Sequence, residues 1–303
     1  MPSRLAILYE HPEWFQPLFA ELRRQGIAFE EWKADALCYD LDEHSFPDLV
    51  LNRMSPSAAF RAHGHGQFAV RDLLSFWESR RVAVINGSAA YDLEISKVRQ
   101  HELFRRCGAL TPRTRILNHC SLAAQAVEGL RFPVLVKPNC GGAGGGIRRF
   151  DSPSELIAAA GSLEFGCDHT ALVQELIPTS DGACYRVEVL DGEVLYCLRI
   201  ERNGHGYNLC PADVCLSDAK PVFARVEPHP DAAITALAVA RQGRMDVCGV
   251  EYMLDVRTGR PVFYDLNALS NFVANAEQVV GFNPTRRFVD YLARRLFAVG
   301  RLV

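Results

Sequence analysis

The chain is expected to fold as an α/β protein that becomes α+β toward its C-terminus, and three observations carry this expectation. Short apolar runs alternate with amphipathic helical stretches up to about residue 90. A strand-like run, Pro133-Val-Leu-Val-Lys137, enters a glycine-rich loop that leads into a second strand. Two further apolar runs, Gly249 to Val256 and Pro261 to Asn267, flank the turn-forming Arg257-Thr-Gly-Arg260.

Residues 4 to 9 read as a buried strand, and Glu13 to Gln25 as a helix with Trp14, Phe15, Leu18, Phe19 and Leu22 on one face, stopped by Gly26. Strands follow at Ile27 to Trp32, Leu49 to Leu51 and Val82 to Ile85, with a helix at Phe68 to Ser79. This alternation predicts a mostly parallel sheet. Ser96 to Cys107 is a helix ended by Gly108. Next come a strand (Arg113 to Leu117), a helix (Ser121 to Leu130), the Lys137 strand, the loop, a strand (Ile147 to Phe150), a helix (Ser154 to Ala160) and a strand (Ala171 to Ile177). Beyond them lie strands at Tyr185 to Leu190 and Glu193 to Ile200 and the paired runs at 249 to 267. Helices at Asp231 to Gln242 and Pro284 to Ala298 flank that sheet. The expected division is 1–95, 96–172 and 173–303, with the middle segment a lid-like unit.

Bulk properties exclude several function classes. A chain of 303 residues, 49% of them hydrophobic, is long enough for two or three packed units. Its net charge of -3 gives no electrostatic reason for nucleic-acid or membrane binding. Ten cysteines without a Cys-x-x-Cys pair argue against a zinc knuckle and for reduced thiols in the cytoplasm. No apolar run is long enough to span a bilayer.

The loop Asn139-Cys-Gly-Gly-Ala-Gly-Gly-Gly146 lets backbone N–H groups approach an oligophosphate, with Lys137 supplying a full charge. In a Walker loop the lysine follows the glycines and opens a helix; here it precedes them, which predicts a hairpin tip over a nucleotide. In the hairpin after Gly249, pairing residues whose numbers sum to 516 sets Glu251 opposite Asp265, with Asn267 following on the same face. The same register pairs Val250 with Leu266, Tyr252 with Tyr264, Leu254 with Val262 and Met253 with Phe263. Opposed like charges need neutralising, and three hard oxygen donors suit magnesium carrying phosphates.

At this point the sequence resembles the ATP-grasp superfamily, and within it the RimK-type glutamate ligases and related carboxylate–amine ligases, over roughly residues 82 to 295. Val84-Ile-Asn86 with Ser96-Lys97, then Lys137-Pro138 with Gly141, Gly142, Gly144 and Gly146, then Gln174-Glu175-Leu176-Ile177, then Glu251, and Asp265 with Asn267, follow the family's order. The resemblance implies an ATP-grasp fold preceded by a small Rossmann-like domain. It also implies that Lys97 and Lys137 approach the phosphates, that backbone groups of residues 174–177 bind adenine, and that Glu251, Asp265 and Asn267 hold magnesium. Two ions are implied, with manganese as an alternative. The implied reaction is ADP-forming amide-bond synthesis through an acyl phosphate. Its partners would be small-molecule, amino-acid or peptide carboxylates and amines, with a homo-oligomer left open. Relatives carry an acidic ribose ligand where Cys184 stands here; Asp181 is the substitute, or a turn residue. Arg199 is the candidate for holding the transferred phosphoryl, or a strand-edge ion pair. Lys137 shares the catalytic role.

Glu10 and His11 after the first strand, with Asn52 and Arg53, are substrate contacts, or else helix-start and turn residues. Asn208, Ser270 and Asn271 are further substrate candidates. His63 and His65 have no third metal ligand at a helpful spacing, and Cys140 has no neighbouring base. Two other functions remain open: transfer of the acyl phosphate to a thiol or hydroxyl, and a nucleotide-binding regulatory module without chemistry.

Overall fold

The computed structural model describes residues 4–11, 13–142, 144–180, 182–201 and 221–299. The first unit is built on the strand order β2-β1-β3-β4, all parallel. It runs β1 (Leu5–Tyr9), α1 (Gln16–Arg24), β2 (Phe29–Lys33), β3 (Leu49–Arg53), α2 (Gly64–Ser79), β4 (Ala83–Ile85) and α3 (Ser88–Glu94). Successive residues of β1 enter different cores. Leu5, Ile7 and Tyr9 pack with Phe19 and Leu22 of α1, and Ala6 and Leu8 with Leu73 and Trp77 of α2. This is the burial on both faces that a parallel sheet requires.

The second unit is the antiparallel sheet β5-β8-β6-β7. α4 (Lys97–Arg106) precedes β5 (Thr114–Leu117), α5 (Ala123–Ala126), β6 (Val134–Pro138), β7 (Arg148–Phe150), α6 (Pro153–Ala158) and β8 (Ala171–Glu175). The expected helix at 121–130 is shorter, a 3-10 turn and one α turn that ends at Ala126, and Gly129 beyond it takes a left-handed φ of 67° that a helix through residue 130 could not hold. The glycines do form the tip of the β6–β7 hairpin.

The third unit is the antiparallel sheet β11-β10-β9-β12-β13. Its elements are β9 (Cys184–Leu190), β10 (Glu193–Glu201), β11 (Val222–Val226), α7 (Pro230–Gln242), β12 (Val247–Leu254), β13 (Pro261–Asn267), α8 (Ala276–Val280) and α9 (Pro284–Val299). The 172/173 boundary cuts β8, whose ladder joins it wholly to the second sheet. α4 lies in the expected lid segment, yet its Leu103 and Phe104 pack with Val187 and Phe263 of the third sheet.

Polar clamps hold the units together. Asn86, just after β4, donates to the carbonyls of Val247 (2.7 Å) and Ala268, and accepts from the Asp246 N–H at 2.8 Å. Gln100 of α4 donates to the Leu266 carbonyl (2.9 Å) and accepts from its N–H (3.1 Å). Asn139 caps α4, its Oδ1 accepting from the Val98 N–H at 2.9 Å and its carbonyl from the Lys97 N–H at 3.2 Å. These side chains satisfy buried backbone groups that would otherwise lack partners.

Candidate active site

One cavity lies between the units, lined by Lys97, Lys137, the glycine hairpin, residues 174–177, Arg186, Glu251 and the segment Tyr264–Asn267. Arg53, Ser270 and Asn271 line it as well.

β12 and β13 place the carboxylates. Val250 pairs with Leu266 and Glu251 with Asp265, as expected, but a bulge follows, so that Tyr252 pairs with Phe263, Met253 with Val262 and Leu254 with Pro261. The expected pairs Tyr252–Tyr264, Leu254–Val262 and Met253–Phe263 are therefore wrong. The extra residue of the bulge is Tyr264, which reaches the carboxylate side and donates its hydroxyl to Glu251 Oε2 at 2.9 Å. Phe263 instead joins Tyr252 in the apolar core beneath.

The carboxylates are not left to repel one another. Glu251 Oε1 accepts from Arg186 Nη1 and Asn267 Nδ2, each at 3.1 Å. Burial first, then the charge of Asp265, still raise its carboxyl above the ordinary range. Burial also opposes ionisation of Asp265, yet the ammonium groups of Lys97 and Lys137 hold its pKa below the ordinary value. Lys97 Nζ donates to Asp265 Oδ1 at 2.6 Å. Lys137 donates to the Tyr264 carbonyl at 3.2 Å, and burial followed by the charge of Lys97 brings its pKa down to about 8.

Arg186, which the sequence did not single out as a site residue, is the hub. It is 3% exposed, donates through Nε to Glu188 Oε1 at 2.6 Å and through Nη2 to Ser270 Oγ at 2.9 Å, and holds Glu251 as described. Its room comes from Gly249, where a Cβ would lie 2.4 Å from Arg186 Nε. Gly249 is thus fixed by close approach rather than by turn geometry.

The hairpin glycines divide by role. Gly144 and Gly146 adopt φ of 71° and 72°. A Cβ on Gly142 would sit 3.3 Å from Ser57 and one on Gly145 2.7 Å from the Phe60 ring, so the loop lies against the segment after β3. Gly141, Gly142, Gly144 and Gly145 line the cavity, whereas Gly146 packs on Pro138. In the hinge, the Glu175 side chain pairs with Arg131 at 2.6 Å. The N–H groups of Glu175 and Leu176 go to the carbonyls of Arg113 (2.9 Å) and Pro133 (3.0 Å).

Gln174 donates its amide to His101 Nε2 at 2.7 Å, which requires a neutral imidazole. Burial first, then Lys137 and Arg105, bring the His101 pKa down to about 3. The unfolded chain therefore binds the extra proton, and the stability this group contributes is full above about pH 6.5 and lost as pH falls toward 3. Between pH 6.5 and 5 the loss is expected to be about 2 kcal/mol. Urea midpoints at pH 7.5 and 5.0 should differ less in His101→Gln than in the parent; an unchanged gap would show that His101 does not carry the effect.

Other expected contacts fall away from the cavity. Arg199 pairs with Tyr185, so strand alternation puts it on the face opposite Arg186, whose β10 partner is Leu198. Arg199 binds Glu201 and does not line the cavity. Glu10 is held by Arg61 at 2.9 Å and His63 at 2.7 Å, His11 stacks on Trp14, and Asn52 Oδ1 accepts from the Met54 N–H. These three hold the loops that follow β1 and β3. Asp181 and Asn208 lie outside the described residues.

Residues 95–292 match the RimK-like ATP-grasp domain. The chain belongs to the RimK-like ATP-grasp family. A D-alanine--D-alanine ligase of Xylella fastidiosa is 30% identical over 182 residues, which is 55% of this chain and 58% of that protein. The chain thus spans little more than half of that curated relative. Among solved structures, the ATP-grasp ligase PsnB complexed with minimal precursor superposes with a TM-score of 0.69 at 18% identity, covering 97% of this chain and 98% of PsnB. A RimK domain protein from Sphaerobacter thermophilus gives 0.70 at 15% identity, covering 95% and 99%. These likenesses show the fold.

The family uses ATP and magnesium, and the donors of this RimK-like chain fit such an ion. Among the described residues there is no cluster of three or more His, Cys, Asp or Glu side chains that could hold a metal alone. Two carboxylates and an amide are instead the sparse oxygen set that suits magnesium arriving on phosphate oxygens and water. No described helix is long and apolar enough to cross a membrane.

Proposed function

We propose that the chain is an ATP-dependent carboxylate–amine ligase that forms an amide or peptide bond through an acyl phosphate, releasing ADP and phosphate. The observation that carries this reading is the convergence of Lys97, Lys137, the glycine hairpin, Glu251, Asp265 and Asn267 on one cavity. A substrate carboxylate oxygen attacks the γ-phosphorus of ATP as the bond to the bridging oxygen breaks. An amine nitrogen then attacks the acyl carbon, phosphate leaves and the nitrogen loses a proton.

The chain's own residues supply charge and exclusion of water rather than acid–base chemistry. The Lys137 bond to a carbonyl, rather than to a carboxylate, leaves its charge for phosphate oxygens. Lys97 exchanges Asp265 for phosphate when the nucleotide enters. Glu251, Asp265 and Asn267 hold one or two magnesium ions, or manganese, whose charge offsets that of the phosphates. Leu135, Ile147, Leu176, Ile177 and Met253 supply the apolar slot for adenine, with the hinge carbonyls and the Ile177 N–H as its polar partners. Arg186 positions Glu251. The glycine hairpin shields the acyl phosphate from water. Free amino acids or peptides in the cytoplasm are the substrates of this reading.

The test is ADP release with Mg-ATP across amino acids and short peptides, singly and in pairs, with product masses. Turnover that needs both a carboxylate and an amine, with a product equal to their sum less water, is expected. A thioester or ester product, or nucleotide binding with no turnover for any pair, would overturn the amide-ligase reading.

A further inference from the structure

The cavity has a second cationic end. Arg53, the last residue of β3, is 3% exposed and lines the cavity beside Trp14, Phe15, Ser270 and Asn271. Its guanidinium lies 5.4 Å from the ring centroids of both Phe15 and Phe288. Nη2 donates to the Ser270 carbonyl at 2.6 Å and to Asn271 Oδ1 at 3.1 Å. Among the described residues, Nε and Nη1 are buried without a hydrogen-bond partner, and so is Trp14 Nε1. Glu94 and Glu188 act on Arg53 through space, with no hydrogen bond to it. Burial with so little compensation brings its pKa down to about 10, so it remains a cation at neutral pH.

All three unpartnered atoms are donors, because neither a guanidinium nor an indole N–H can accept. Unsatisfied buried donors on a buried cation are costly, which points to an acceptor that enters with a ligand. The phosphate end does not account for it. Among the described residues, the hydrogen-bonded path from Arg53 to the metal carboxylates runs by way of Ser270, whose carbonyl it binds and whose hydroxyl is held by Arg186, which in turn holds Glu251. An anion on Arg53 therefore lies beside the reacting centre rather than at it.

We propose that Arg53, with Trp14, is the subsite for a non-reacting carboxylate of an amino-acid-like substrate. The inference rests on the ligase reading for what that substrate does, but the subsite itself can be tested by binding. A guanidinium framed by two phenyl rings excludes water and favours a planar, delocalised anion. The substrate then carries at least one carboxylate that is not phosphorylated, which selects amino acids and dicarboxylates over simple monoacids and amines.

The experiment is calorimetric titration of the full chain, saturated with Mg and a non-hydrolysable ATP analogue so that the phosphate end is filled. The probes are succinate, succinamide and inorganic phosphate, titrated into the parent protein, Arg53→Met and Arg53→Lys. Succinate should bind the parent, succinamide and phosphate should bind at least tenfold more weakly, and Arg53→Met should lose roughly 10- to 100-fold in succinate affinity. Arg53→Lys should fall between them, because it keeps the charge and loses the planar fork. Equal affinity of succinate and succinamide for the parent protein would overturn the proposal without any variant. Tighter binding of phosphate, or unchanged affinity in Arg53→Lys and Arg53→Met alike, would also overturn it. Arg53-dependent binding with no ADP release for any pair would sink the ligase reading alone; turnover that ignores the free carboxylate would sink this subsite alone.

Discussion

Replacing Asp265 with alanine is expected to lower turnover by at least roughly 100- to 1000-fold while the fold is retained. The carboxylate has two tasks in this geometry. It accepts from Lys97 at 2.6 Å and it opposes Glu251 across the hairpin, so its removal takes away an oxygen donor and frees a buried ammonium at the same time. Asp265→Asn separates the two effects, since it keeps the shape and one acceptor but loses the charge. Both variants should lose magnesium-dependent nucleotide affinity, measured by titration with and without the ion, and both should keep the parent's far-ultraviolet circular dichroism. Turnover within tenfold of the parent in Asp265→Ala would remove Asp265 from the metal site.

Gly249→Ala carries the largest expected effect on stability. The new methyl group would stand 2.4 Å from Arg186 Nε, inside any permissible contact, and Arg186 is boxed in by Glu188, Glu251 and Ser270. Moving the guanidinium leaves Glu188 and Glu251 buried without their shared cation, and breaking a buried pair of this kind costs about 3–5 kcal/mol. The expected readout is a drop of that size in urea unfolding. In an Arg186→Met background the same substitution should cost far less, because the methionine stem can bend aside. Equal costs in the two backgrounds would show that the clash is not with Arg186.

What could be read from the chain beforehand depended on periodicity. The opposition of Glu251 and Asp265 was legible because alternation of apolar residues fixes which face a strand residue takes. The bulge was not, since one extra residue in Pro261–Asn267 leaves the composition of the run unchanged, and so Tyr264 was assigned to the wrong face. The strand Val222–Val226 was missed because it is an edge strand with no buried residue to mark a face, and the helix Ser88–Glu94 because two turns are too few to show a period. Arg199 was named for the phosphoryl group and Arg186 was not considered as a site residue, because only the β9–β10 register shows that the two lie on opposite faces. Gly249 looked like any glycine at the start of a strand, because nothing local announces that a guanidinium from another strand fills its side-chain volume.

The position of the bulge in the β12–β13 hairpin bears on how this chain can be rebuilt. The bulge falls between the Glu251–Asp265 pair and the turn at Arg257–Arg260, whose residues are exposed. The spacing of the two acids is therefore set from the Gly249–Asn267 end, where Asn86 and Gln100 clamp the backbone, and not from the turn. A change in turn length can be taken up before it reaches the acids, which makes the tip a point of attachment for a tag or a fused peptide. A two-residue Gly-Ser insertion between Thr258 and Gly259 should leave Mg-ATP affinity within about twofold of the parent. A larger loss would mean that register is transmitted through the bulge.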